Sequence, residues 1–418
     1  MRRLTPGDFR WAWPVWLVVA LVVMVTAGTA VALVAHGDTA ASPPGWVAGS
    51  ASPPRSSAAA APSPSVAGGQ QKVDTCVAAT VSRLTPDGIA GQLLMVGTPV
   101  ADPQSLAATV SRYRLGGVFL AGRSTQRAAA LRSGIGALQG AAAANGVPLH
   151  VAADQEGGQV QTLKGTDFPL IPSAVEQGTW DQATLRDRTA DWARRLAAVG
   201  VTMDLAPVAD TVPAGTAAAN PPIGAFDRQF GANPDAVAQD IGTVVEAAQG
   251  AGVLTTLKHF PGLGRVRANT DTSTKAVDDT TTVDDPFLKP FASGIKAGSA
   301  AVMISSARYP RLDPDNIAAF STAVVTGLLR ERMGYTGLVV SDDLGAAVAA
   351  SGVPVGERAV RFVRAGGDMV LTVRAGDAAT MAAALVAAGR ADPAFQARLT
   401  DAARHVVRSK YRAGLLKC

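Results

Sequence analysis

Residues 337–343 read Gly-Leu-Val-Val-Ser-Asp-Asp, a short run of β-formers that ends on two carboxylates. Seven other stretches have the same grammar. They are Leu93–Gly97, Gly117–Leu120, Leu149–Asp154, Thr202–Pro207, Thr255–Phe260, Ala301–Ser306 and Asp368–Val373. Ala/Leu/Arg-rich helical stretches lie between them, such as 186–199, 235–249 and 322–332. Strand alternating with helix implies a parallel sheet, and eight such units fit a (β/α)8 TIM-type barrel. A doubly wound open sheet is the other solution, but no Gly-rich first turn announces one. Polar residues gather where the runs end: Asp154-Gln155-Glu156, Lys258-His259, Ser305-Ser306 and Asp342-Asp343. In a barrel these ends meet on one face, where active sites are built.

The composition removes several function classes. The 418 residues are 48% hydrophobic, enough for a full core and too apolar for a disordered chain. The net charge is +5, of which +2 lies in the first 75 residues, and the remaining signs are interspersed. No basic stripe exists, so nucleic acid is not an expected partner. The four histidines, His36, His150, His259 and His405, are scattered singly, and no Cys-x-x-Cys occurs. Neither a metal site nor another cofactor is implied.

The chain before the barrel reads as three pieces. Residues 1–14 carry Arg2, Arg3 and Arg10. Residues 15–35 are an almost unbroken apolar run, long enough to cross a bilayer. The basic flank predicts a cytoplasmic N-terminus and an exported remainder, anchored in the membrane, or secreted if cleavage occurs near Ala30-Val31-Ala32. Residues 36–75, rich in Ala, Ser, Pro and Gly, read as a disordered linker. The single folded domain is then 76–418. Export gives the two cysteines a role: Cys76 opens the domain and Cys418 ends it, so a disulfide would staple its ends. Two separate thiols are the alternative.

Several stretches, taken in order, resemble glycoside hydrolase family 3, in the branch of bacterial β-N-acetylhexosaminidases. They are Leu115-Gly116-Gly117-Val118, Asp154 through Val160, Asp204 through Asp210, and Arg228-Gln229-Phe230-Gly231. Lys258-His259-Phe260-Pro261-Gly262, Gly337 through Leu344 and Ala365-Gly366-Gly367-Asp368-Met369 complete the series. The resemblance spans about residues 88–412. It implies a (β/α)8 barrel, a carbohydrate substrate, and Asp342 as the nucleophile of a retaining glycosidase. It implies sugar-binding roles for Asp154, Arg228, Lys258 and His259. Asp343 should point away from Asp342, because successive strand residues alternate. Glu156 is expected to support the Gly157-Gly158 turn rather than the chemistry.

The acid/base loop departs from the family pattern. An Asp-x-His pair is expected after Lys-His-Phe-Pro-Gly, but here Asn269-Thr270-Asp271 occupies its place and Leu263 replaces a further His. Three readings stay open: Asp271 is the acid/base, general acid catalysis is lost, or the chain binds sugar without turnover. Burial would raise the pKa of Asp271, and a nearby Arg265 or Arg267 would lower it. The resulting expectation is an exported, monomeric hydrolase that removes terminal β-linked N-acetylglucosamine during peptidoglycan turnover. Its alternative is a catalytically impaired glycan-binding wall protein.

Overall fold

The computed structural model describes residues 64–418. The anchor reading of 15–35 and most of the linker lie outside the described residues. Among the described residues, no helix is long and apolar enough to cross a membrane. Eight parallel strands close into a barrel: β1 Leu94–Pro99, β2 Gly117–Ala121, β3 His150–Ala153, β4 Met203–Asp204, β5 Leu254–Phe260, β6 Ala301–Ile304, β7 Leu338–Asp343 and β8 Met369–Thr372. Neighbours in the barrel are neighbours in sequence, and β8 closes onto β1 through Leu94–Val370 and Met95–Leu371 pairs. Each strand lies inside its expected stretch or within a residue of it, except β1, which runs two residues past Gly97 to Pro99. The run 202–207 contributes only two strand residues, because cis Pro207 follows and removes a ladder donor.

Strand alternation builds two separate cores. Met95, Phe119, Ala152, Met203, Met303, Val340 and Leu371 fill the barrel interior. Leu94, Val118, Val151, Val302, Val339 and Val370 face outward and pack under the helices. In β7, Leu338 and Val340 point inward, so the same period brings Asp342 to the inner face at the mouth.

Four helices matter below: α1 Pro64–Ser82, α2 Gln182–Ala197, α3 Pro234–Gly250 and α4 Pro393–Arg412. Helix α1 begins inside the stretch read as linker. Its Val77 and Val81 are buried, while the Ala/Gly/Gln composition around them carries little periodic signal. The expected helix over 322–332 forms over Ala323–Arg332, wound as a π-helix.

Helix α1 is tied to α4 by Arg408–Asp74 at 2.6 Å, and to the segment after α4 by a Cys76–Cys418 disulfide, Cα atoms 5.7 Å apart. The bridge closes 342 residues of sequence. Cys76→Ser is expected to lower the unfolding free energy by up to about 6 kcal/mol, from chain entropy alone. Urea denaturation checks this: the midpoint should fall, and reducing the wild type should reproduce the fall. An unchanged midpoint in both would reject a stabilising bridge.

Candidate active site

The expected sugar-binding residues converge at the C-terminal ends of β3 and β5. Lys258 Nζ donates to Asp154 Oδ1 at 2.6 Å and lies 2.5 Å from Glu156 Oε1. Arg228 approaches the same Glu156 with two donors, Nε at 2.8 Å and Nη2 at 2.7 Å. Its Nη1 donates to Pro222 O at 2.8 Å, so the guanidinium has little freedom. Glu156 is therefore the anchor of both cations, which the turn-supporting expectation missed. Burial opposes its ionisation, but Arg228 and Lys258 win and hold its carboxyl at about 2. Its side chain is 4% exposed, against 28% for Asp154, so Asp154 is the carboxylate left open to a ligand.

The turn beside Glu156 needs glycine. Gly157 has φ +105°, and a Cβ there would stand 2.3 Å from Pro172 O. The resulting hairpin, Gln155–Gly157 against Val160–Gln161, swings Glu156 back over the barrel.

Behind this cluster, Asp204 faces outward from β4 into a small cavity lined also by Thr189 and Trp192 of α2. Burial pushes its carboxyl up to about 7, against a hydrogen bond from Gln155 N at 3.0 Å. Thr189 Oγ1 is buried there without a protein partner.

His259 joins the cluster although it follows Lys258 directly. The β5–β6 register slips between Leu257 and Phe260, so strict alternation ends there. His259 Nδ1 lies 2.7 Å from Asp210 Oδ2, and Nε2 lies 3.5 Å from Arg228 Nη2. The Asp210 contact makes Nδ1 the protonated nitrogen and leaves Nε2 toward the guanidinium. Asp210 is fully buried and also accepts from Leu263 N at 2.7 Å. One carboxylate thus fixes the histidine and the first turn of the loop after it.

That loop is packed. Leu263 and Val266 are buried, and Asn220 Nδ2 donates to both of their carbonyls, at 2.8 and 2.7 Å. Gly264 permits the approach, since a Cβ there would overlap Thr211 O at 1.8 Å. Arg265 pairs with Asp285 at 2.6 Å and stacks on Phe287, so it is committed elsewhere and does not set the charge state of Asp271. The far end of the loop rests on the segment after β7, where Ala349 N donates to Thr270 O at 3.0 Å and Val348 N to Asp271 O at 3.3 Å.

This docking brings Asp271 into the electrostatic reach of Asp342. Asp271 is exposed at the rim of the mouth, although protein atoms crowd its carboxyl. Burial first, then the charges of Asp342 and Asp343, push its carboxyl up to about 6; His259 and Arg228 pull the other way. Asp343 does point elsewhere: its Oδ1 accepts from Gly345, Ala346 and Val373 backbone N–H groups. Asp342 accepts only from Asp343 N, at 2.8 Å, and meets no cation among the described ion pairs. The mouth therefore offers a fork of cations neutralised from below, one unpartnered carboxylate, and one carboxylic acid poised near neutrality.

The remaining histidines with described positions are structural. His150 sits between Thr202 and Ser409, and His405 pairs with buried Asp368 at 2.9 Å. Asp368, part of the Ala-Gly-Gly-Asp-Met stretch, holds β7 by accepting from Val339 N at 2.9 Å.

A family model described as the glycosyl hydrolase family 3 N terminal domain matches residues 87–409. A β-hexosaminidase of Mycobacterium tuberculosis, LpqI, is 35% identical over 301 residues, 69% of this chain and 74% of that protein. A β-hexosaminidase of Xanthomonas oryzae pv. oryzae is 35% identical over 233 residues, 54% of this chain and 67% of that protein. The crystal structure of a β-N-acetylhexosaminidase from Beutenbergia cavernae superposes with a TM-score of 0.77 at 45% identity, covering 78% of this chain and 99% of that one. A β-N-acetylglucosaminidase from a Paenibacillus species gives 0.71 at 28% identity, covering 79% and 63%. The matched residues contain every barrel strand and every side chain of the mouth, and the chain belongs to glycosyl hydrolase family 3.

Proposed function

We propose that this chain is a retaining β-N-acetylhexosaminidase in which Asp342 is the nucleophile and Asp271 the acid/base. The observation that carries the reading is the pairing of an unpartnered Asp342 with an Asp271 whose proton is held to about 6. A glycosidase requires one carboxyl that can give up a proton and a second placed to attack. Protonated Asp271 gives its proton to the leaving oxygen as Asp342 attacks the anomeric carbon. The Asp271 carboxylate then takes a proton from water, which releases the sugar from Asp342 with retained configuration. Asp154, Arg228, Lys258 and His259 hold the sugar hydroxyls. A terminal β-linked N-acetylglucosamine is the substrate, in keeping with the names of the relatives.

Export supports a role in peptidoglycan turnover. The basic-flanked apolar run of 15–35 and the Cys76–Cys418 bridge both suit a protein held on the outer face of the membrane. The whole mouth is built by one chain, which fits action as a monomer.

The test is hydrolysis of a chromogenic β-N-acetylglucosaminide in phosphate buffer. A carboxylate base repels anionic nucleophiles, so free N-acetylglucosamine is the expected product. Accumulation of the sugar 1-phosphate would reject this acid/base, and muropeptide binding with no release over many hours would leave a glycan-binding protein instead.

Asp210 is expected to act through His259. Asp210→Asn removes the charge that fixes the imidazole tautomer while keeping the volume. A mispositioned binding group costs up to about 10²-fold, so kcat/KM should fall by about that much. Hydrogen-detected NMR of the His259 ring should show the Nδ1–H signal lost. A wild-type kcat/KM would remove Asp210 from the reaction.

A further inference from the structure

Asn220 lies in the connection between β4 and α3, is 2% exposed, and has no idle polar group. Its Nδ2 gives both protons to the loop after β5, to Leu263 O at 2.8 Å and Val266 O at 2.7 Å. Its Oδ1 accepts from Gly224 N at 2.7 Å, and its main-chain carbonyl accepts from Ala225 N at 3.0 Å. Two carbonyls on one side and an N–H on the other admit the amide in one orientation only.

The Gly224 end is the turn that delivers Arg228. Gly224–Phe226 make one 3-10 turn, Asp227 follows at φ +55°, and Arg228 N donates back to Ile223 O at 3.3 Å. A Cβ on Gly224 would stand 2.5 Å from Ala217 O, so this approach requires glycine. The same turn offers Pro222 O to the Arg228 guanidinium. The other end of the amide holds the start of the loop that carries Asp271, whose far end is docked through Thr270 O on Ala349 N. A buried asparagine that only satisfied its own turn would bond to near neighbours. Asn220 instead reaches 43 and 46 residues along the chain, from the connection bearing a sugar-binding cation to the one bearing the acid.

We infer that Asn220 is a positioning residue that joins the Arg228 turn to the acid/base loop, so that Asp271 is held in register with the sugar that Arg228 grips. The inference rests on Asp271 being the acid. Asn220→Asp tests it, because the carboxylate keeps the volume and the acceptor for Gly224 N but turns an oxygen toward two carbonyls, freeing the loop end alone. With a poor leaving group, kcat should fall by about 10²-fold, the scale of a misplaced reacting group, with KM unchanged. With a dinitrophenyl aglycone, which needs no proton, kcat/KM should stay near the wild-type value. Asn220→Ala frees both ends and should add a rise in KM. Hydrogen exchange should quicken in 262–272 and not in the barrel strands. Equal losses with both aglycones, or faster exchange through the strands, would mean a general loss of fold and overturn the inference. Wild-type kinetics with unchanged loop exchange would overturn it as well. Asp271→Asn, measured alongside, separates the two readings. Leaving-group dependence there but not in Asn220→Asp would exclude Asn220 and leave the acid standing, whereas none in Asp271→Asn would remove the acid and this inference with it.

Discussion

Asp342→Ala is expected to reduce hydrolysis of a chromogenic β-N-acetylglucosaminide by about 10⁴–10⁶-fold, the scale seen when a covalent nucleophile is removed. The fold should survive. Asp342 makes one hydrogen bond, to the backbone N–H of its neighbour, and no ion pair, so nothing else depends on its carboxylate. It also stands among like charges: burial first raises the carboxyls of Asp271 and Asp343, and the Asp342 charge adds to both. Removing it should therefore change stability by less than about 1 kcal/mol. This separates Asp342 from Glu156, whose loss would strand Arg228 and Lys258 with buried charge and cost several kcal/mol, on the order of 3–5. Circular dichroism and a thermal melt on the variant distinguish the two kinds of loss. Azide should rescue the alanine variant, entering the vacated face to give the α-glycosyl azide. A 2-fluoro sugar should label wild-type Asp342 and leave the variant unlabelled. Alanine turnover within tenfold of wild type would exclude the nucleophile.

The barrel was legible because period-2 apolar runs recur eight times and end on polar residues. The same period separates Asp343 from Asp342, and the two do face different ways. Glu156 was not legible. It lies between Asp154 and Gly157, and only the hairpin that folds it back shows it beneath two cations. A local signal did exist: Arg228 and Lys258 in one dry mouth require a buried counter-charge, and Asp154 alone cannot supply two. Asp210 was hidden for a similar reason. Its motif was visible, but its contact with His259 crosses from one strand end to the next. Arg265 misled because chain proximity to Asp271 suggested a charge effect, whereas its partner Asp285 sits farther along the chain. Nor does sequence reveal that Lys410 is fully buried below the barrel on Gln92, where burial pushes its ammonium down to about 7. Helix periodicity marks α4 as amphipathic but does not say that the barrel floor accepts a lysine.

Asp271→Asn should lower kcat with natural glycans by about 10²–10⁴-fold, the contribution of one general acid/base. The loss should shrink with a p-nitrophenyl or dinitrophenyl aglycone, because a good leaving group needs no proton. That leaving-group dependence separates an acid from a residue that only binds. The pH profile carries the second signature. Glycosylation requires the protonated form of Asp271, whose carboxyl is held to about 6, so wild-type kcat/KM for a poor leaving group should fall as pH rises through that value. Below it the acid is loaded, and above it the rate drops tenfold per pH unit. In Asp271→Asn this alkaline limb should vanish. The raised value has separate causes that can be moved one at a time. Burial is the largest, and Asp342 comes next, so Asp342→Asn should shift the Asp271 carboxyl downward in a direct NMR titration. His259→Ala should shift it upward, since His259 pulls against the carboxylates. Opposite movements in the two variants would tie the acid to this geometry. A titration of Asp271 near an ordinary carboxylate value, unmoved by either change, would instead mean that the chain had lost its acid when the family's histidine was replaced.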